Sequence, residues 1–409
     1  MASLNILFVC AKYNLPEEGN YLTNDLVQAL ARIGHSVQVV SVEWDMPKGS
    51  QIYEENDRIN VLRVPAPTLP IGKVAGRLYK WIFSSFFAMP AIRKEVGRQR
   101  FDVVMAFAPA VTIFAPLRWA THAFKAKSYI YNPDFFPYYH HSNGMIPGGP
   151  VFTLAHRAET AALRWFDVIG CMSPANADFL KRHFKLRPSQ RAEVLPLWGD
   201  VSQPAQVDRT AVRRERQLPD DRFIALFGGQ LIPGRGIEDV LEAARIARTR
   251  RPEMLFLFLG KGSLRPLIDR YISEGGDNVR VMEPVDRDTY LKVAASCDVG
   301  INATAPHVIV PTFPTKTIDY IRAGLPIMAA VERASDYGQF VEDNDLGLAA
   351  PAGEPAALFA GIDRLFEDAD LRARIRRAGP VALARHFDVD QAARKILDQL
   401  GVGSSSRAD

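Results

Sequence analysis

The opening run of the chain, Leu4-Asn-Ile-Leu-Phe-Val-Cys10, is almost wholly apolar and shows no alternation. A strand of this kind must be covered on both faces, and a parallel sheet flanked by helices is the arrangement that does so. The next forty residues fit that arrangement. The loop Ala11–Asn20 leads into an amphipathic helix over Tyr21–Ile33, Gly34 stops it, and His35–Ser41 returns as a strand. Strand, helix and strand make a βαβ unit with a right-handed crossover. Further strands are expected over Arg58–Val64, Asp102–Phe107, Ser128–Tyr131, Val168–Ser173 and Ala192–Leu195. Pro196–Pro204 reads as a linker, after which the pattern restarts. Arg222–Gly229 is strand into glycine turn, Glu238–Arg250 a helix, and Met254–Gly260, Val279–Met282, Val299–Asn302 and Ile327–Val331 are strands. Leu371–Leu400 is helical and charged. The expectation is α/β throughout: two doubly wound, Rossmann-like domains over residues 1–198 and 199–381, with 401–409 a disordered polar tail.

Composition narrows the class. At 409 residues the chain exceeds one ordinary domain, and 47% apolar with 23% charged residues is the balance of a soluble globular protein. Cys10, Cys171 and Cys297 lie far apart in apolar surroundings, which speaks for a reducing compartment and against a disulfide framework. The start, Met-Ala-Ser-Leu-Asn, lacks the basic region of a secretory signal. The longest apolar run, Val103–Leu117, is interrupted by Pro109 and Pro116 and is too short to span a bilayer. A net charge of +4 is mild, so its placement matters more than its sum, and no nucleic-acid partner is expected.

Two basic residues stand where stability alone disfavours them. In Pro311–Ile327 a short helix is expected with Thr315 as its N-cap, Lys316 in its first turn, and Gly324 and Pro326 ending it. A cation there opposes the helix dipole unless an anion is bound, although a solvated surface lysine is the plain alternative. The second case is Gly228-Gly-Gln-Leu-Ile-Pro-Gly-Arg-Gly236, where Gly229 and Gln230 follow a strand and Arg235 stands at the next helix start. Both would open at the carboxyl ends of one parallel sheet, where such sheets bind ligands, so we expect a diphosphate-bearing ligand held by Arg235 and Lys316. Asp319 is one turn beyond Thr315 and suits the paired hydroxyls of a ribose, or else is a dipole-favoured acid. Gly260-Lys-Gly262 is a third glycine turn. In the first domain Asp134, within the polar and aromatic stretch Tyr131–Ser142, is the carboxylate best placed to face a ligand. Asp-x-Asp pairs occur at 286/288, 343/345, 368/370 and 388/390, too often to mark a metal, and none is expected.

Ile71–Arg100 is basic and aromatic together. Lys73, Arg77, Lys80, Arg93 and Lys94 flank Trp81, Phe83, Phe86 and Phe87. Such a pattern suits peripheral contact with an anionic membrane, or a helix with its aromatics packed inward and its basic face in solvent.

With these residues in place, the chain resembles the family 4 glycosyltransferases of the GT-B fold, particularly those that build bacterial surface polysaccharides. Asp134-Phe-Phe-Pro137, Glu193–Asp200, Gly229-Gln-Leu with Arg235-Gly236, Gly260-Lys-Gly262 and Cys297–Ile301 carry the resemblance. Pro314-Thr-Lys-Thr-Ile-Asp-Tyr-Ile-Arg-Ala-Gly-Leu-Pro326 is its most specific part. It implies two Rossmann-like domains facing a cleft, with residues 382–400 crossing back onto the first. It also implies a retaining, metal-independent transfer from a nucleotide-diphosphate sugar, with UDP favoured and no cofactor. The acceptor would be a saccharide on the first domain, carried on a polyprenyl diphosphate at the cytoplasmic face of the membrane. Gly19, Gly229, Gln230, Arg235, Gly260, Thr315, Lys316, Thr317 and Asp319 would bind the donor; Arg235, Lys316 and Asp134 would act in catalysis. Three positions depart from the pattern. Pro311 replaces the first Glu of Glu-x7-Glu, Gln230 replaces an Arg, and Asn20 replaces a Gly. These departures leave two other readings open: a catalytically silent sugar-nucleotide binder supporting an assembly, and a nucleotide-sugar epimerase.

Overall fold

The computed structural model describes residues 3–15, 21–44, 46, 49–69, 76, 79–202 and 207–402. The chain divides into two compact units, residues 1–200 with 388–409, and residues 201–387.

The first unit is built on eight strands: β1 (Asn5–Cys10), β2 (Ser36–Glu43), β3 (Gln51–Asn56), β4 (Ile59–Pro65), β5 (Val103–Phe107), β6 (Lys127–Tyr131), β7 (Val168–Cys171) and β8 (Arg191–Val194). Their order is β3-β4-β2-β1-β5-β6-β7-β8. Every pairing is parallel except that of β3 with β4. The buried pattern of β1 explains its uninterrupted apolar run. β3 is not among the expected strands, and the reason is visible in its composition. Gln-Ile-Tyr-Glu-Glu-Asn is a polar edge strand with no face fully buried, so hydrophobic patterning carries no trace of it.

The second unit has six strands: β9 (Phe223–Gly228), β10 (Met254–Leu259), β11 (Val279–Met282), β12 (Val299–Ala303), β13 (Ile327–Val331) and β14 (Gly347–Pro351). They run parallel in the order β11-β10-β9-β12-β13-β14. β14, Gly-Leu-Ala-Ala-Pro, is made of small residues that carry little strand propensity, and it too is absent from the expected strands. All six residues of β9 and of β10 are buried, against helices that include Ile237–Arg250 and Pro355–Glu367. Because β10 lies on one side of β9 and β12 on the other, the strand order reverses at β9, and their carboxyl ends define the switch point of this sheet.

The expected single helical stretch Leu371–Leu400 is two helices. Ala369–His386 belongs to the second unit and continues through Pro380. Val389–Leu400 belongs to the first, and Asp388 caps it by accepting from Gln391 N. Ala392, Ala393, Ile396, Leu397 and Leu400 are its buried face, packed on the helix Leu22–Arg32. Burying Ile396, Leu397 and Leu400 contributes about 1.5–3 kcal/mol each. The exposed Arg32–Asp390 pair at 2.6 Å adds at most about 1 kcal/mol. Among the described residues no helix is long and apolar enough to cross a membrane.

Candidate active site

At the carboxyl end of β9 the chain turns at Gly229 with φ +129°, and a Cβ there would stand 3.5 Å from Lys316 Cε. The glycine turn and the lysine after β12 that the sequence singles out are therefore brought into contact. Gly260 has a different reason to be glycine. A Cβ on it would stand 1.8 Å from the carbonyl oxygen of Gly229, so its role is to let two loops close on each other, and ligand contact is not needed to explain it. Gly229 N donates to Leu259 O at 2.9 Å, and Leu231 N to Lys261 O at 2.9 Å, which fixes that approach. Gln230 is exposed on the same turn.

Lys316 opens the helix Lys316–Arg322, which has only seven residues and so only a weak dipole. Thr315 does not cap it: its backbone is already helical, at φ −62° and ψ −25°, and its side chain makes no cap hydrogen bond. Thr317 is fully buried; its hydroxyl donates to Pro314 O at 2.6 Å and lies 2.7 Å from the Tyr337 hydroxyl. That hydroxyl is used inside the protein, which removes Thr317 from the ligand-facing set.

The charges are arranged around one carboxylate. Asp319 Oδ1 accepts from Arg287 Nη2 at 3.1 Å, and Oδ2 lies 3.8 Å from Lys316 Nζ. Lys316 Nζ also sits 4.4 Å above the Tyr290 ring, an attraction that holds the ammonium in place. Burial lowers the Lys316 pKa from its ordinary value; Asp319 raises it, and Arg287 and Arg235 lower it further. Arg235, Lys316 and Arg287 thus share one electrostatic neighbourhood with Asp319. Arg287 is missing from the expected site because one arginine among many, after the common capping residue Asp286, carries no local signal.

Beside this cluster the loop after β12 is fixed from within. Pro311 is buried, and the next residue is clasped by Glu332, directly after β13. Glu332 accepts from Thr312 N at 2.7 Å, from the Thr312 hydroxyl at 2.9 Å and from the Thr304 hydroxyl. The Ser335 hydroxyl donates to Thr312 O at 2.6 Å. Burial raises the Glu332 pKa against these hydrogen bonds. A carboxylate is absent at 311, yet one lies inside the same loop, supplied from the following crossover.

In the first unit Asp134 is exposed at the end of β6, and its charge raises the phenol pKa of both Tyr21 and Tyr131, after burial. Around it the Tyr131 ring packs 4.5 Å from Trp198 and 5.5 Å from Phe107. Asn132, next in sequence, is buried. Behind the turn after β5, the buried Glu159 accepts from Ala110 N at 2.9 Å and Val111 N at 2.7 Å. Gly19 lies outside the described residues.

The basic and aromatic segment divides its residues. Lys80 lies 4.4 Å over the Trp44 ring, and Trp81 packs edge-on against Phe136 and His140 at 5.4 and 5.2 Å, so both turn inward. Phe83, Phe86 and Phe87 are exposed instead. Arg93 lines a groove with Phe86, Met89, Arg118, Trp119 and His122, and Lys94 is solvated beside Glu95. Lys73 and Arg77 lie outside the described residues. Of the Asp-x-Asp pairs, Asp286, Asp368 and Asp388 are helix caps, which accounts for their frequency.

Comparison with known proteins places this geometry. The sequence matches the family described as Glycosyltransferase Family 4 over residues 20–203 and that described as Glycosyl transferases group 1 over residues 208–381. The putative colanic acid biosynthesis glycosyl transferase WcaI of Escherichia coli K12 is 23% identical over 79% of this chain and 82% of that protein. Sucrose-phosphate synthase from Thermosynechococcus elongatus superposes with a TM-score of 0.74 at 17% identity, over 98% of this chain and 100% of that one. HepE of Anabaena in complex with UDP superposes with a TM-score of 0.67 at 15% identity, over 97% and 100%. Fold and matches define a glycosyltransferase enzyme of GT-B type, two Rossmann-like domains on parallel-dominated sheets. The chain belongs to glycosyltransferase family 4.

Proposed function

We propose that this enzyme moves a sugar from a nucleotide-diphosphate donor, UDP-linked, to a saccharide acceptor with retention of configuration and without a metal. The observation that carries the reading is the charge cluster of Arg235, Lys316 and Arg287 around Asp319 at the strand ends of the second unit. Lys316 and Arg287 both stand against the Asp319 carboxylate, and Arg235 is close enough to act on Lys316. The diphosphate of a sugar nucleotide is doubly charged and gains further charge as the sugar departs, when a terminal phosphate of about −1.5 to −2 is set free. Arg235 and Lys316 stabilise that growing charge, the kind of contribution that dominates such sites. Asp319 holds the ribose, Gly229 and Gln230 border the diphosphate, and Asp134 orients the acceptor hydroxyl on the first unit.

Surface-polysaccharide assembly at the cytoplasmic face of a membrane is the proposed setting, with a lipid-linked acceptor. The likeness to WcaI and the exposed Phe83, Phe86 and Phe87 beside Arg93 and Lys94 support it. Charge reversal of Arg93 and Lys94 should abolish co-flotation with anionic vesicles; flotation insensitive to it would refute the membrane contact.

Thermal unfolding against UDP-, GDP- and ADP-sugars tests the donor. A ligand at 100 times its dissociation constant adds about 2.7 kcal/mol. One base should stabilise the protein and lose its effect in Arg235→Ala and Lys316→Ala; no shift with any nucleotide overturns the reading. Pro311 favours a second possibility, a silent sugar-nucleotide binder. Donor stabilisation without turnover in a membrane extract supplying acceptors would identify it.

A further inference from the structure

In the turn Ser84–Ala88 of the first unit the usual sorting of side chains is inverted. Ser84, Ser85 and Ala88 are buried, while Phe86 and Phe87 are 49% and 61% exposed, and Phe83 before them is 53% exposed. Hydrogen bonds hold the serines inward. Ser84 Oγ accepts from Trp44 Nε1 at 2.9 Å and donates to Lys80 O at 2.5 Å, and Ser85 Oγ accepts from Ala115 N at 3.3 Å. Buried polar groups beside exposed large apolar ones are the departures that call for a reason. The fold here keeps three rings in water.

Beside them a groove of about 490 Å³ is lined from this turn, the helix Met89–Val96 and the helix Phe114–Ala123. That is the size of a small-molecule site. Its buried lining is Met89 and Ala115, and its aromatic lining is Phe86 and Trp119. Arg93, Arg118 and His122 supply the polar lining, with no carboxylate among the described residues. Arg118 lies 5.9 Å from the Trp165 ring, and neither it nor Arg93 makes an ion pair among the described residues. The surroundings repeat the sign. Arg98, Arg100, Lys125 and Lys127 are exposed beyond the two helices, and Glu95 is the one acid in residues 86–100 and 114–127.

An aromatic cleft edged by cations, set in a basic surface with protruding phenylalanines, complements an amphiphile with alkyl chains and an anionic head. We infer that this groove binds one acidic phospholipid of the bilayer, its phosphate against Arg93 and Arg118 and its chains against Phe86, Met89 and Trp119. The inference rests on the membrane reading above and names the partner. A lipid-linked acceptor is a different occupant. It has to reach Asp134 beyond the carboxyl end of β6, whereas Trp119 and His122 stand in the second half of a helix that runs back toward the start of that strand. The groove thus adds recognition of a single headgroup to the attraction that any anionic surface exerts on the basic face.

The test is calorimetric titration of the full chain with dihexanoylphosphatidylglycerol kept below its micellar concentration. Two controls divide that ligand: dihexanoylphosphatidylcholine keeps the chains and neutralises the head, and glycerol phosphate keeps the anion without chains. The acidic lipid should bind saturably, one per protein, and each control at least about tenfold more weakly, the factor that a lost charge contact or a few buried methylenes supplies. Arg118→Glu should weaken the acidic lipid about 10- to 100-fold, and Phe86→Ala about three- to tenfold. Both residues are exposed, so both variants should keep the wild-type Tm. Lys94→Glu, outside the groove lining, should reduce co-flotation with anionic vesicles and leave short-chain lipid binding within about threefold. Equal binding of glycerol phosphate would make this a phosphate site, and equal binding of the choline lipid an apolar patch without headgroup recognition; either overturns the inference. Flotation with anionic vesicles but no saturable short-chain binding would overturn the groove and leave the membrane contact standing. Absence of both would remove the membrane reading together with it.

Discussion

The two units share one architecture and put different chemistry at the ends of their strands. In the second, the strand ends carry Arg235, Lys316, Arg287 and Asp319, a charged patch built from three crossovers. In the first, they carry Phe107, Tyr131 and Trp198 in ring contact, with Asp134 the exposed charge near Tyr21 and Tyr131. Cations in a fixed array suit a diphosphate. Phe107, Tyr131 and Trp198 are buried and offer no face to a ligand, so the exposed Asp134 is the group a sugar hydroxyl can meet there. A parallel sheet with loops at its carboxyl edge accepts either.

Both edges also rely on a buried carboxylate that makes no claim on a ligand. Glu159 fixes the turn after β5 through two backbone N–H groups, and Glu332 fixes the loop after β12 through Thr312 and Thr304. Each is pushed up in pKa by burial.

The largest effect expected from this division is at Lys316. Lys316→Ala should cut turnover about 10²–10³-fold, as removal of one transition-state donor does elsewhere. The protein should remain folded, because the Lys316 side chain is one-third exposed. A variant of full activity would break the comparison at its charged end. Because burial and two arginines lower the Lys316 pKa, UDP affinity should also fall as pH rises through the alkaline range below the ordinary lysine value. Titration of UDP between pH 7 and 10 would show it, and a flat profile would count against the ammonium as a phosphate ligand.

Glu159 gives the next effect, on stability. Burial pushes its pKa up to about 7, against the pull of the two N–H donors. Between the ordinary carboxyl value and 7 the native state holds a proton that the unfolded chain has released, so stability falls as pH rises through that window. The shift from 4.5 to about 7 corresponds to about 3 kcal/mol at most. Glu159→Gln removes this titration. Its Tm between pH 4.5 and 7 should lack the decline seen in the wild type, while one of the two N–H groups loses its acceptor and lowers stability in the acidic range. A decline of equal slope in both proteins would assign it to other groups.

Much of this is legible in the sequence, and the residues show why. Uninterrupted apolar runs mark the buried parallel strands, and two basic residues at helix starts, Arg235 and Lys316, mark the charged edge. What escapes is of two kinds. β3 is polar and β14 is mostly glycine, alanine and proline, so neither imprints a hydrophobic period. Arg287 and Glu332 derive their meaning from partners 32 and 20 residues away, Asp319 and Thr312, and no spacing rule links them. Thr315 and Thr317 depart from expectation for a related reason. Local capping chemistry points to Thr315 as the cap, but the helix starts without one, and the buried Tyr337 claims Thr317 instead.

Asp134 tests the aromatic end, and with a smaller effect. It is exposed, so Asp134→Asn should leave stability unchanged within about 0.5 kcal/mol. Asn keeps the shape and an acceptor oxygen but loses the charge. If the carboxylate only orients an acceptor hydroxyl, kcat should drop about tenfold, the difference between a charged and a neutral hydrogen bond. A loss of about 10²–10⁴-fold would make Asp134 a general base. UDP affinity should not move in either case, because in this reading Asp134 serves the acceptor and the diphosphate is held by Arg235 and Lys316. A fall in UDP affinity equal to the fall in kcat would mean that the aromatic edge also holds the donor, and the separation of roles between the two sheets would be lost.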